Sequence, residues 1–272
     1  MVILRILSIV ILFMLGSCRK SNLIVPFHTR ILGHGGMGIS SQYPINSLES
    51  VLNALYICAD GIEVDVQLSK DGQLVAFHDE LMYNSTNLDE MINSKTWEEI
   101  ASGFYTSFPH ANYNIVRLDD IFSAIEHKER YTFTLDCKLY QDGTNSNFDE
   151  DYAQAMLDLL AKHKLINYTT IESVDTSFLL RLKGKNDAVR AYYYTDDFEP
   201  GLAFIRKHAL EGLTMHRELV SAEDIAKAHL YGKKIALFGI SQSRELEEAF
   251  EKAADLVQVD NLRSMLNAID QE

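Results

Sequence analysis

The stretch Gly61-Ile62-Glu63-Val64-Asp65-Val66-Gln67-Leu68-Ser69-Lys70-Asp71-Gly72-Gln73-Leu74-Val75-Ala76-Phe77-His78-Asp79 sets two carboxylates and a histidine in strand-like, apolar sequence. Side chains of a strand alternate between its faces, so Glu63 and Asp65 share one face while Ile62, Val64 and Val66 share the other. Asp71-Gly72 is a two-residue hairpin signal. A turn centred there pairs Lys70 with Gln73 and, counting back, sets Asp65 opposite His78. Two acids and an imidazole then converge. Unpaired carboxylates cost too much to serve as packing residues, and a divalent cation held by Glu63 and Asp65 beside His78 accounts for them. The alternative is a surface hairpin with a wet polar face, and the Glu-x-Asp spacing alone does not choose between the two.

Other segments carry the same kind of chemistry. Arg30-Ile31-Leu32-Gly33-His34-Gly35-Gly36 reads as a short strand ending in a histidine and a glycine pair. Tyr131-Thr132-Phe133-Thr134-Leu135-Asp136-Cys137-Lys138 reads as another, with Thr134, Asp136 and Lys138 on one face and Phe133, Leu135 and Cys137 on the other. Three separate strands thus end in acids, a lysine or histidines.

From about residue 29 onward, strand-like and helix-like segments alternate, which argues for a parallel sheet with helical crossovers. Strands are expected near 30–34, 61–66, 73–78, 131–138, 169–174, 188–194, 212–215, 234–239 and 256–259. That is one more than a (β/α)8 barrel requires, and the short link between the second and third cannot hold a crossover helix. The expectation is therefore an α/β fold, a modified (β/α)8 TIM barrel with a β-hairpin between strands 2 and 3 and a small inserted subdomain or lid over 80–118. Helices are expected near 46–55, 96–102, 119–128, 149–164, 199–209, 221–231 and 243–253, the first capped by Asn46 with Glu49 and the sixth by Ser221 with Asp224. Active sites of such barrels gather at the carboxyl ends of the strands, where His34, Glu63, Asp65, His78, Asp136 and Lys138 fall. Glu172, Tyr194, His216 and Phe238 hold corresponding later positions, where packing or rim roles also serve.

With 272 residues, 47% hydrophobic content and four prolines, the chain suits one large core. Its first seventeen residues differ. Arg5 precedes an apolar run from Ile6 to Leu15 that is short for a bilayer span and has the layout of a secretory signal. The end of that run, Leu15-Gly16-Ser17-Cys18, resembles a bacterial lipobox, in which the cysteine becomes the lipidated first residue. The expected organisation is a lipoprotein signal over 1–17, a linker over 18–28 and one domain over 29–272, anchored through Cys18 to the bacterial cell envelope outside the cytoplasm. Loss of Arg5 makes the formal net charge of −14 one unit more negative, which disfavours nucleic acid and anionic lipid as partners. No protein partner is inferred. Cys58 and Cys137 sit in apolar contexts and read as buried free thiols, and no Cys/His spacing suggests zinc.

These motifs resemble the glycerophosphodiester phosphodiesterase family, a (β/α)8 fold related in layout to bacterial phosphatidylinositol phospholipase C. The similarity rests on His34-Gly35-Gly36, Pro44-Ile45-Asn46-Ser47, Glu63-Val64-Asp65-Val66, Lys70-Asp71-Gly72, His78-Asp79 and Asp136-Cys137-Lys138. The resemblance implies that Glu63, Asp65 and Asp136 bind one Ca2+ or Mg2+. It also implies that His34 and His78 form an acid/base pair, that Lys138 contacts phosphate, and that Phe238 stands for a family tryptophan at the substrate. The implied activity is metal-dependent cleavage of small-molecule glycerophosphodiesters to glycerol 3-phosphate and an alcohol. Two departures stand out: the family arginine after the first histidine is Gly35, and the glutamate before Asn46 is Ile45. A bidentate phosphate clamp is thereby lost. Asp136 replaces a glutamate. The departures keep two other readings open, a catalytically weak barrel that binds a phosphodiester or glycan at the cell surface, and a lysophospholipase D or phosphatidylinositol lyase type of enzyme.

Overall fold

The computed structural model describes residues 23–26 and 28–269. The leader over 1–17, Cys18 and part of the expected linker lie outside the described residues. Among the described residues there are ten strands: β1 (Arg30–Gly33), β2 (Gly61–Leu68), β3 (Leu74–Ala76), β4 (Val116–Arg117), β5 (Thr132–Cys137), β6 (Thr169–Ser173), β7 (Arg190–Tyr194), β8 (Gly212–His216), β9 (Lys234–Ile240) and β10 (Leu256–Val259). The helices are α1 (Leu48–Tyr56), α2 (Trp97–Ile100), α3 (Leu118–Ala124), α4 (Phe148–His163), α5 (Thr176–Lys185), α6 (Phe198–Lys207), α7 (Ala222–Leu230), α8 (Ser243–Glu251) and α9 (Leu262–Ala268).

Eight strands run parallel in the order β1-β10-β9-β8-β7-β6-β5-β2, and the pairing of β1 with β2 closes them into a barrel. The surplus strand is β3. It is accommodated because β1 is short: β1 covers only Gly61 and Ile62 on one edge of β2, and β3 pairs antiparallel with Val66, Gln67 and Leu68 further along that edge. A two-residue β4 then pairs with β3.

The hairpin register differs from the sequence expectation by one residue. Leu68 pairs with Leu74, and the Ser69 amide donates to the Gln73 carbonyl, which leaves Lys70-Asp71-Gly72 as a three-residue loop. Gly72 takes the left-handed conformation at φ +80°, and the Ser69 hydroxyl donates to Asp71 and accepts from the Gln73 amide. Asp65 therefore faces Phe77, whose amide donates to the Asp65 carbonyl, and His78 lies one residue beyond the pair.

Alternation along the strands divides two environments. Ile62, Val64, Val66, Phe133, Leu135 and Ile171 join the main core between strands and helices. The opposite face fills the barrel, with an apolar plug of Leu32, Tyr192, Ala236 and Leu256. Nearer the carboxyl ends the filling turns polar: Thr214 on β8 and Gln258 on β10 both donate to Glu172 on β6 across the lumen. The 80–118 segment packs a satellite core of Met82, Ile92, Ile100, Tyr105 and Ile115 against Val75 and Phe77 of the hairpin.

The expected helices form, with α5 and α9 additional; each buries only two or three large apolar side chains, which leaves a faint periodic signal. Ser221 and Asp224 make their capping box. α1 starts one residue later than expected, since Ser47 caps it and Asn46 is at φ +67° with its side chain engaged elsewhere. Both described cysteines are free, but only Cys137 is buried. Cys58 is exposed in the turn after α1, at φ +72°.

Two glycines give opposite expectations. A Cβ on Gly61 would stand 1.7 Å from the Thr132 carbonyl oxygen on the adjoining strand, so Gly61→Ala is expected to lower unfolding free energy by about 1–3 kcal/mol in urea titrations. A Cβ on Gly184 in α5 meets nothing within 4 Å, and Gly184→Ala is expected to raise stability by about 0.5–1 kcal/mol. Equal effects of the two substitutions would contradict this packing.

Candidate active site

Asp65, Asp136 and Glu172 lie in register on β2, β5 and β6, so three neighbouring strands present an acid at one height, and Glu63 sits one step deeper on the same face of β2. All four are buried. Oxygens of Glu63, Asp136 and Glu172 come within 4.8 Å of one another. Glu172 was legible from the sequence only as a later strand-end residue, and its place in this cluster follows from the register.

Asp65 is engaged on both oxygens. Asn46 Nδ2 donates to Oδ2 at 2.8 Å and Lys138 Nζ stands 3.1 Å from Oδ1, while the Asp65 amide donates back to Asn46 Oδ1 at 3.0 Å. Lys138 also bonds Asp136. The left-handed backbone of Asn46 turns its amide into the barrel mouth, a role its reading as a helix cap had hidden.

Each histidine is oriented by an acid. His34, at the end of β1, has Nδ1 2.7 Å from Asp260 Oδ1; a carboxylate can only accept, so Nδ1 carries a proton and Nε2 points toward the acids, 3.9 Å from Glu63 Oε2. Asp260, just after β10, also accepts from Ser241 Oγ at 2.7 Å. His78 repeats the arrangement, with Nδ1 3.0 Å from Asp79 Oδ1, and Ser85 Oγ donates to the other Asp79 oxygen. The His78 side chain is 50% exposed, against 19% for His34, so it forms the rim of the site. Asp260 was not among the residues expected from sequence, although an acid directly after the last barrel strand was the available signal.

The electrostatics show what such crowding costs. Burial, reinforced by Asp65, pushes the Glu63 carboxyl well above the ordinary range. Burial also outweighs the attraction of Lys138 and raises Asp136, and burial with the charge of Asp136 lifts Glu172 to about 7. Asp65 goes the other way: burial would raise it, but Lys138, His78 and the Asn46 hydrogen bond together lower it. For His34, burial favours the neutral ring, yet the hydrogen bond to Asp260 and the charges of Glu63 and Asp65 prevail, bringing its pKa to about 9.

Four buried carboxylates against one lysine form a donor set of hard oxygens with surplus negative charge. That suits a hard divalent cation, and the oxygens of Glu63, Asp136 and Glu172, all within 4.8 Å of one another, lie inside the span of two metal–oxygen bonds laid end to end, about 5 Å for calcium. On the other side of the mouth, Phe238 meets Tyr194 and His216 edge-on at 5.2 Å between ring centroids. One extra residue in β9 between Leu237 and Ile240, with Gly239 at φ +78°, produces the bulge at which this ring sits.

Gly35 explains itself in the same geometry. Its amide donates to Glu63 Oε2 at 2.9 Å, its φ is +59°, and a Cβ there would stand 2.4 Å from Ile45 Cβ. Positions 35 and 45, where the resemblance implied an arginine and a glutamate, are thus in direct contact.

Residues 37–262 match the family model described as the glycerophosphoryl diester phosphodiesterase family. The chain belongs to this family. A glycerophosphodiester phosphodiesterase of Bacillus altitudinis is 31% identical over 116 residues, 40% of this chain and 45% of that protein. One from Caldanaerobacter subterraneus subsp. tengcongensis is 36% identical over 104 residues, 37% of this chain and 42% of that protein. The matches thus span less than half the length of these curated relatives. Among solved structures, an Oleispira antarctica phosphodiesterase in complex with the product sn-glycerol-3-phosphate superposes with a TM-score of 0.77 at 20% identity, covering 91% of this chain and 98% of that one. The glycerophosphodiester phosphodiesterase of Thermotoga maritima gives 0.70 at 21% identity, covering 89% and 99%. These likenesses establish the barrel shared across the family.

The raised His34 sets a pH dependence in metal-free protein. Its folded pKa of about 9 lies above the ordinary 6.5, so its contribution to stability is complete below pH 6.5 and is lost as pH climbs through 9. Urea unfolding with chelator present is expected to show stability falling over that window, and His34→Asn should remove that part of the fall. An unchanged slope in the variant would contradict the assignment.

Proposed function

We propose that the chain is a metal-dependent phosphodiester hydrolase that cleaves glycerophosphodiesters to glycerol 3-phosphate and an alcohol. The observation that carries this reading is the pairing of two acid-oriented histidines with a buried carboxylate cluster at one barrel mouth. Family membership supports it, as does the product named for the Oleispira structure.

Glu63, Asp65 and Asp136 are the proposed ligands of one Ca2+ or Mg2+, with Glu172 the further carboxylate beside them. Bound there, the cation would offset charge that builds on the phosphoryl oxygens. Lys138, raised by Asp65 and Asp136 against the effect of burial, stays charged and supplies a point charge to phosphate. His34, kept protonated by Asp260 and the acids around it, gives a proton from Nε2 to the leaving oxygen. His78, steadied by Asp79, takes the proton of the attacking oxygen, which is water or a neighbouring substrate hydroxyl. Asn46 keeps Asp65 in place. Phe238, with Tyr194 and His216, provides an aromatic wall for the organic part of the substrate.

We extend the proposal to location: a lipid on Cys18 would hold the domain in the bacterial cell envelope, on the strength of the apolar run Ile6 to Leu15 and Leu15-Gly16-Ser17-Cys18.

Hydrolysis of glycerophosphocholine and glycerophosphoinositol, followed by enzymatic detection of glycerol 3-phosphate with and without chelator, tests the reading. His34→Ala and His78→Ala are each expected to lower kcat by about 10²–10⁴-fold while divalent cation binding persists. Because His34 must be protonated, kcat/KM should decline as pH rises through its pKa, and Asp260→Asn should shift that decline to lower pH. Full activity in both alanine variants, or no turnover of any diester with cation bound, would overturn the proposal.

A further inference from the structure

A cavity of about 230 Å³ opens beside His78, between the β1–α1 loop, the end of the hairpin and the inserted subdomain. Its walls are Ile39, Pro44, Ile45, Phe77 and Tyr105, so it is far more apolar than the carboxylate cluster next to it. Among the described residues, no lysine or arginine lines it. Of the polar groups that do, Asp79 is bonded to His78 and Ser85, and His110 meets the Ser41 carbonyl through Nε2. The Tyr105 hydroxyl donates to the Ile45 carbonyl, which leaves its ring as the surface.

Ile45 joins this cavity to the centre. Its side chain contacts Gly35, whose amide holds Glu63, and its neighbour Asn46 holds Asp65. Ile39 is 53% exposed at the cavity, an apolar side chain left toward solvent where a substrate could cover it. The volume falls below the roughly 300–1,000 Å³ of pockets that enclose whole drug-sized ligands, so it fits one part of a molecule whose phosphate lies at the acids and histidines.

We infer that this pocket is a specificity site for an uncharged hydrocarbon portion of one of the groups esterified to the phosphate. The inference rests on the phosphodiester reading of the adjoining centre and narrows its substrate class to diesters with such a group. A pocket for a cation would offer a carboxylate free of partners, and a pocket for a sugar a mainly polar wall; here Asp79 is bonded to His78 and Ser85, and the wall is chiefly Ile39, Pro44, Ile45, Phe77 and the Tyr105 ring.

The test uses the whole chain with magnesium or calcium present and titrates mono-n-alkyl phosphates from methyl to pentyl by calorimetry. Each added methylene that enters the pocket is expected to lower Kd by about fourfold until the cavity is filled. Ile45→Asp should flatten the series, and Ile39→Ser, at the half-exposed mouth and outside the fold's core, should reduce its slope. A Kd independent of chain length, or phosphocholine binding more tightly than butyl phosphate, would overturn the inference. Turnover of glycerophosphodiesters is followed in parallel. Turnover with a flat alkyl series sinks the pocket and leaves the phosphodiesterase reading standing. A steep alkyl series with no turnover upholds the pocket and sinks the phosphodiesterase reading.

Discussion

The arrangement depends on one costly act, the burial of Glu63, Asp65, Asp136 and Glu172 within one end of a barrel. Isolated ionised carboxylates in such a place are strongly disfavoured, so each must be neutralised, hydrogen-bonded or bound to a cation. The surrounding residues answer that demand in turn. Lys138 and Asn46 occupy Asp65; Thr214 and Gln258 donate to Glu172; the Gly35 amide and the Nε2 edge of His34 approach Glu63. What remains is a net negative pocket in which Glu63, Asp136 and Glu172 are pushed upward, and that residual deficit is the physical basis for expecting a cation.

The barrel makes this possible by separating its tasks. Stability resides in the apolar layer between strands and helices and in the plug of Leu32, Tyr192, Ala236 and Leu256. The carboxyl-end mouth is then free to be polar and strained. The short β1 is part of the same division, since it leaves the far half of the β2 edge open for β3, which carries the chain to Phe77 and His78. A longer first strand would compete for that edge.

Much of this was legible in the chain. The Glu63-x-Asp65 alternation, the strand-end positions of His34, Asp136 and Lys138, the closed parallel barrel and the hairpin after the second strand all follow from periodicity, turn chemistry and spacing. The hairpin register did not, because Asp71-Gly72 fits a two-residue turn as well as the three-residue loop that Ser69 closes with its hydroxyl. Asn46 was misread for a related reason: cap residues and left-handed asparagines share the same local sequence, and only the barrel brings Asp65 within its reach. His34 meets Asp260, and Gln258 meets Glu172, across more than eighty residues of chain, and no local pattern encodes such contacts. The exposure of Cys58 likewise follows from a positive φ that its apolar neighbours conceal.

The central claim is that the carboxylate cluster is completed by one hard divalent cation. Burial raises the proton affinity of Glu63, Asp136 and Glu172, so metal binding and proton release are linked. Calorimetric titration of calcium and magnesium into the chelated protein at pH 7, in two buffers of different ionisation enthalpy, measures both together. The account predicts one cation per chain with net proton release, and loss of both in Glu63→Gln. Absence of stoichiometric binding, or binding that releases no protons and survives Glu63→Gln, would contradict it.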